Sequence, residues 1–203
     1  RTLRALGYLT DFARLNRRMH NKSFTVDGEV TLIGGRNVGD AYFGAGDAPL
    51  FSDLDVMAVG PVVTDVADDF ERYWSSACVS TLKQVLELSE AEIEARIQPP
   101  DEWYQSEITQ RYLNKLESSQ FITQLEAREL PLIWAKTRLL SDDPRKGLGR
   151  AKRHSLLPQR LLDVMGSPVE QIDIISSYFV PTRAGVALLL QMVRKGVKVA
   201  ILT

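Results

Sequence analysis

The chain has 203 residues, 44% hydrophobic and 25% charged, with a net charge of −1, ordinary for a globular protein of one large or two small domains. A single cysteine, Cys78, excludes an internal disulfide and fits a reducing compartment. No uninterrupted apolar run reaches the ~18 residues that a membrane-spanning helix needs.

The near-zero net charge hides an asymmetry. Residues 1–22 hold six basic side chains against one acidic, net +5. Residues 65–108 hold eleven acidic against three basic, net −8, and residues 136–160 eight basic against two acidic, net +6. Basic segments suit anionic substrates or an anionic membrane surface. The plainer reading is a solvated surface with local charge runs.

In chain order, residues 1–13 alternate too loosely for a strand or helix and read as a loop. Residues 17–37 read as a β-hairpin. Asp27-Gly28 is a two-residue turn that tolerates positive φ, with Val, Ile, Thr and Phe on either side. Alternate strand residues share a face, so His20 and Lys22 point the same way. Gly34-Gly35 follows, where a backbone without Cβ can approach a ligand closely, and Asn37 adds an amide donor. An imidazole, an ammonium, an amide and a stripped backbone together suit a phosphate. Residues 38–50 carry three glycines and a proline and read as a loop at the substrate entrance.

Phe51 to Gly60 reads as a strand, with Asp53 and Asp55 on one face and Leu54, Val56 and Ala58 on the other. A helix starts at an N-capping Thr64, with Asp65 in its first turn. Its stripe of Val66, Phe70, Tyr73, Trp74 and Ala77 reads as core packing. An acidic helix runs from Ser89 to Ile97 and stops at Pro99-Pro100. A longer helix is predicted over Ser106 to Ala127, and a strand over Leu132 to Leu140. Ser141 to His154 reads as a polar, basic, mobile loop. A short helix through Met165 ends at Gly166-Ser167-Pro168. A strand over Ile172 to Phe179, a helix over Ala184 to Lys195 with Gly196 as its C-cap, and a strand over Val197 to Leu202 form a βαβ unit and imply a parallel sheet. The fold class is α/β. The chain opens on Arg1 with no secretory-signal pattern and stops on a strand with no closing turn, which reads as a piece cut from a longer protein.

The spacing His20-x-Lys22-x4-Asp27, then six residues, then Gly34-Gly35-x-Asn37, resembles the HKD signature of the phospholipase D superfamily. The wider text, from Arg14-Leu15-Asn16-Arg17-Arg18-Met19 to Gly39-Asp40-Ala41-Tyr42-Phe43-Gly44, is most similar to its bacterial cardiolipin synthase branch. In that family two such motifs face each other across one active site, and this chain contains one. The resemblance implies the phospholipase D fold, a mixed or parallel sheet flanked by helices, truncated here at both ends. Residues 1–63 would end a first half, 64–165 would form a helical connection with a basic loop, and 166–203 would open the second half. Tyr178 and Phe179 would then wall the site from the second half, and the second motif would lie beyond Thr203.

The resemblance also implies roles. His20 attacks phosphorus to give a phosphohistidine. Asp53, the first acid of a Ser-Asp-x-Asp strand, hydrogen-bonds His20, fixes its tautomer and stabilises developing charge. Lys22, Asn37, Gly34 and Gly35 hold the phosphate oxygens. Asp27 anchors the turn and Asp55 pairs with a nearby cation. A general acid for the leaving alkoxide comes from the second-motif histidine, unless the two histidines swap roles. His154 sits in a basic run without carboxylate or cysteine company and reads as an exposed loop residue. One cysteine and two separated histidines make no usual zinc set, and no aspartates stand at calcium-loop spacing, so no metal and no other cofactor is expected.

The implied function is phosphatidyl transfer of cardiolipin synthase type. The expected partners are a phospholipid such as phosphatidylglycerol, an anionic membrane surface and the second half of the parent chain, and the isolated piece is expected to be inactive. No nucleic acid is expected, and the location would be peripheral, on the cytoplasmic side of a bacterial inner membrane. The alternatives are a phosphodiesterase or nuclease of the same superfamily, whose members can build the site as a homodimer, and a non-catalytic phosphate- or membrane-binding module.

Overall fold

A computed structural model describes residues 20–43, 53–86, 88–97 and 101–203. The loop expected over 1–13, most of the one over 38–50, and Phe51, Ser52 and Pro99-Pro100 lie outside the described residues. In chain order the elements are β1 (Ser23–Val26), β2 (Val30–Gly34), α1 (Asp40–Phe43), β3 (Asp55–Val59), α2 (Val62–Trp74), α3 (Leu82–Leu86), α4 (Glu90–Ile97), α5 (Asp101–Gln105), α6 (Glu107–Glu117), α7 (Gln120–Glu126), α8 (Leu157–Met165), β4 (Gln171–Ile175), α9 (Arg183–Arg194) and β5 (Lys198–Leu202). The class is α/β, as expected. Two compact units divide the chain: Arg1–Arg36 with Asp53–Val79 and Arg138–Thr203, and Asn37–Ser52 with Ser80–Thr137.

In the first unit β1 and β2 form the expected hairpin, with a longer loop. Asp27 (φ 52°) and Gly28 (φ 69°) both take left-handed backbone, and the Glu29 N–H closes the turn on the Val26 carbonyl at 3.0 Å. The register pairs Val26 with Val30, so Glu29 is an extra residue between turn and strand. β3 lies antiparallel on the other side of β2, from Val30↔Val59 to Gly34↔Asp55. It begins at Asp55, so Asp53 and Leu54 precede the strand that was expected to contain them. Leu54 and Val56, expected on an apolar inner face, are both about half exposed.

The helix α2 packs on all three strands. Its start departs from expectation: Pro61, not Thr64, stands at the N-cap, where proline's fixed φ suits a helix entrance and its missing N–H costs nothing. Val63 and Val66 are buried, and Thr31 of β2 is fully buried with its hydroxyl satisfied by the Thr25 hydroxyl at 2.9 Å. Of the predicted core stripe, Val66 is buried and Tyr73 half-buried, while Phe70, Trp74 and Ala77 are exposed. Phe70 is 48% and Trp74 64% exposed, and the two stack on each other with centroids 5.7 Å apart. The buried residues of α2, Val63 and Val66, fall in its first two turns.

β4, α9 and β5 form the expected βαβ unit. The strands run parallel from Gln171↔Lys198 to Ile175↔Leu202. Met192 of α9 and Val197 before β5 are buried, and the Thr182 hydroxyl caps α9 by accepting from the Gly185 N–H at 3.2 Å. β4 stops at Ile175, short of the predicted Phe179, and the backbone turns away there.

The segment Ser141 to His154, predicted to be a mobile loop, is instead fastened down at its start. Ser141, Asp143 and Pro144 are buried. The Ser141 hydroxyl donates to Asp69 at 2.7 Å and accepts from Arg72 at 2.7 Å, while Arg72 also pairs with Asp69. Tyr73 donates to the Asp142 carbonyl at 2.5 Å, and Arg160 to the Ser141 carbonyl at 2.7 Å. Asp142 pairs with Lys146 and accepts the Leu157 N–H that opens α8; Asp143 pairs with Arg145. Charged side chains therefore turn a glycine-rich stretch into two short 3₁₀ turns, Pro144–Lys146 and Arg153–Ser155.

In the second unit α4 falls where the sequence predicts, and Ser89 and Glu92 form the reciprocal cap that starts it. The long helix expected over Ser106 to Ala127 is two helices. Ser118 donates to the Lys115 carbonyl at 3.2 Å and the Ser119 N–H to the Leu116 carbonyl at 2.9 Å, closing α6 before α7 begins. The stretch Leu132 to Leu140 is not a strand. Ile133 is 93% exposed and no ladder partner runs beside it among the described residues. β-rich composition does not make a strand without an edge to pair with.

Candidate active site

His20 and Lys22 lie just ahead of β1, not within it, and still converge. Lys22 Nζ stands 3.1 Å from both His20 ring nitrogens and 3.3 Å from the His20 carbonyl. His20 is exposed and Lys22 half-buried, so an incoming anionic oxygen meets an ammonium and an imidazole at one point. Asn21, between them, lies beside the Tyr73 phenol, whose titration burial pushes up. That phenol donates to the Asp142 carbonyl.

Asp53 sits at the entrance to β3. Its Oδ1 accepts from the Ser177 hydroxyl at 2.6 Å and from the Leu54 N–H at 2.8 Å. The Ser177 hydrogen bond, then the Leu54 N–H and the charges of Arg36 and Lys22, hold this carboxyl below the usual carboxylate range against the opposing effect of burial. The expected hydrogen bond from Asp53 to His20 is not made in this structure; Ser177 occupies Asp53 and Lys22 meets the imidazole.

Gly34 and Gly35 have a steric reason to be glycine. A Cβ on Gly35 would lie 2.5 Å from Asp53 Oδ2, and one on Gly34 would overlap Asp55 Oδ1. The two carboxylates ahead of and in β3 thus occupy the space that side chains on the β2 edge would fill. Asp55 pairs with Arg36 Nε at 2.6 Å, the cation expected from the sequence. Asp27 is at the hairpin turn, with the positive φ expected there. Asn37 falls in the second unit, where its amide donates to the Tyr42 hydroxyl at 2.8 Å.

Tyr178 and Phe179 follow β4. Tyr178 is 67% exposed, and the Phe179 N–H donates to the Thr203 hydroxyl at 3.4 Å. Ser177, which sequence reasoning passed over, is the residue of this turn that reaches Asp53. A signal was available: a hydroxyl two residues past the carboxyl end of a parallel strand pair, where ligand sites of α/β sheets gather. Among the described residues no group of three or more His, Cys, Asp and Glu is placed to hold a metal. No described helix is long and apolar enough to cross a membrane.

Fold and site together describe an α/β protein that presents a histidine–lysine couple beside a clamped carboxylate. Comparison with known proteins sharpens that class. Over its full length the chain is 73% identical to Cardiolipin synthase C of Escherichia coli (strain K12), of which it covers 43%. It is 29% identical over 99% of its length to an uncharacterized protein of Helicobacter pylori (strain ATCC 700392 / 26695), covering 40% of it. A 70-residue stretch, 34% of the chain, is 41% identical to Cardiolipin synthase A of Pseudomonas syringae pv. syringae (strain B728a), 14% of that protein. The chain is therefore a homologue of cardiolipin synthases and spans less than half the length of these relatives. No family model and no solved structure matches it.

Proposed function

We propose that this chain supplies the first half of the active site of a phospholipase D-type phosphatidyltransferase, which makes cardiolipin from phospholipids such as phosphatidylglycerol. The observation that carries this reading is the full-length 73% identity to a protein named Cardiolipin synthase C. The Lys22–His20 couple supports the chemistry. A neutral His20 nitrogen attacks phosphorus; the P–N bond forms as the P–O bond to the departing glycerol breaks. Lys22 neutralises charge on the non-bridging oxygens. A general acid, in this reading the histidine of a second motif outside this chain, gives its proton to the leaving alkoxide. The hydroxyl of a second lipid then returns a proton to that imidazole and attacks phosphorus. The P–N bond breaks and His20 is regenerated. Asp53 steadies the positive charge on the imidazole during the attack. Tyr178 and Phe179 wall the site from the side of the second half.

The same reading places the protein peripherally on the cytoplasmic face of a bacterial inner membrane, its basic segments against anionic lipid. Acid-quench trapping of the full-length protein with phosphate-labelled phosphatidylglycerol tests the mechanism. Label on His20, absent from His20→Ala, is the expected result. Label on the other motif's histidine would make His20 the general acid. Undiminished turnover by His20→Ala would remove the site assignment.

A further inference from the structure

We propose that Ser177 is a positioning residue for Asp53: its hydroxyl fastens the acid beside the first motif to the carboxyl end of the β4–β5 pair. The inference rests on the functional reading above and adds a residue to it. The Ser177 hydroxyl lies 2.6 Å from Asp53 Oδ1, the length of an O–H···O⁻ bond to an ionised acceptor. The two residues are 124 positions apart, so the bond ties the strand pair at the end of the chain to the hairpin sheet at its start.

Ser177 is itself held on both sides. The Ser176 N–H donates to the Leu202 carbonyl at 3.0 Å and the Phe179 N–H to the Thr203 hydroxyl at 3.4 Å. The turn after β4 is thus anchored to the end of β5, and the serine projects from a supported backbone. On the other side of Asp53, Gly35 brings the β2 edge so close that a Cβ would stand 2.5 Å from Oδ2. The carboxylate is gripped between a hydroxyl and the Leu54 N–H on Oδ1 and a bare backbone at Oδ2. With Oδ1 engaged, Oδ2 remains for the imidazole once substrate draws His20 toward it, in keeping with catalytic bonds that tighten only in the complex.

The charged groups around Asp53 are Lys22 ahead of β1, Arg36 after β2, and Asp55 on β3, the last engaged by Arg36. From the β4–β5 side the contact is the Ser177 hydroxyl. Without it Asp53 binds a proton more readily and turns more freely. The acid limb of activity, which reports ionised Asp53, then moves to higher pH.

The experiment uses the full-length protein that carries this chain, assayed for phosphatidyl transfer across pH, with thermal unfolding measured in parallel. Ser177→Ala is expected to lower kcat by about tenfold or more, as loss of a hydrogen bond to a charged group implies, to leave KM nearly unchanged, and to shift the acid limb upward. Ser177→Thr, which keeps the hydroxyl, restores both. If Ser177→Ala does not fold, Ser177→Cys, a near-isostere with a weak donor, carries the same expectation. Asp53→Asn with Ser177→Ala is expected to be no worse than Asp53→Asn alone, in kcat and in unfolding temperature. Multiplying losses in the double variant, or an acid limb that stays in place, overturns the proposal. His20→Ala, run alongside, reports on the underlying reading: if it keeps full activity, that reading fails, and the cycle in unfolding temperature still decides whether Ser177 acts through Asp53.

Discussion

Two regions of the first unit use the same kinds of side chain to opposite ends. Around Ser141 the carboxylates all have a close cation: Asp69 with Arg72, Asp142 with Lys146, Asp143 with Arg145. Backbone carbonyls there are capped by Tyr73 and Arg160. At His20 the groups meet differently. An exposed imidazole faces an ammonium, with no carboxylate among the described residues bonded to either, and the acid expected to serve it is turned to Ser177. Satisfied polar groups cost little and hold the chain still. A cation beside a nucleophile does nothing for the resting fold and becomes useful when a phosphate arrives. The difference is that between a fastening and a site.

Substitution at the site gives the largest expected effect. In the full-length protein His20→Ala is expected to abolish turnover, because no neighbour supplies a replacement nitrogen. Asp53→Asn should lower the rate by about 10²–10⁴, as loss of a histidine orienter does elsewhere. Lys22→Ala should cost roughly 10²–10³ in kcat, the scale of one removed oxyanion donor. Neither His20→Ala nor Lys22→Ala should shift the unfolding temperature by more than a degree or two. A large loss of stability in His20→Ala would erase the contrast between the two regions.

Ser141→Ala probes the fastening. It removes the buried hydroxyl that bridges Asp69 and Arg72, which keep each other and some solvent, and a loss of roughly 0.5–1.5 kcal/mol of stability is expected from denaturant unfolding. The chemical step in the molecules that remain folded should be little changed. If kcat fell with stability unchanged, the segment would belong to the site instead.

The fastening also carries a pH signature. The Arg145 guanidinium, aided by the Arg145 N–H, holds the Asp143 carboxyl far below the usual carboxylate range. A group whose pKa is depressed by folding adds stability above its unfolded value, near 4, and loses it as pH falls through the folded one. Acid unfolding should therefore begin below about pH 4 at this segment. Asp143→Asn should flatten that limb while leaving the slope at neutral pH unchanged.

The smallest effect concerns lipid. Of the basic residues that the sequence offers to an anionic surface, Arg17 and Arg18 lie outside the described residues. Arg145 and Lys146 are engaged by Asp143 and Asp142. Lys152 and Arg153 are exposed. Neutralising that second pair should weaken sedimentation with anionic vesicles by up to about 1 kcal/mol per charge, and neutralising Arg145 and Lys146 by less. Equal losses from both pairs would show that internal pairing does not matter at the membrane.

The sequence by itself determined what local chemistry dictates. Asp27-Gly28 announced the hairpin because few other dipeptides accept two left-handed residues in a row. Ser89 announced a helix start, and Gly196 the end of a helix between strands, because caps are decided within a few residues. The spacing of His20 and Lys22 was legible for the same reason. What it could not decide is which surfaces meet. Phe70 and Trp74 read as core from their helical spacing, yet burial depends on what packs opposite. Leu132 to Leu140 reads as a strand from its composition, yet a strand exists only beside a partner. The choice between a loose basic loop and a fastened one turned on Asp69, Arg72 and Tyr73, some seventy residues upstream of Ser141 and Asp142. Asp53 was found in the sequence as an acid near a histidine. That its partner in this structure is Ser177, 124 residues away, follows from the fold alone, because a hydrogen bond is made by proximity in space and leaves no periodicity in the chain.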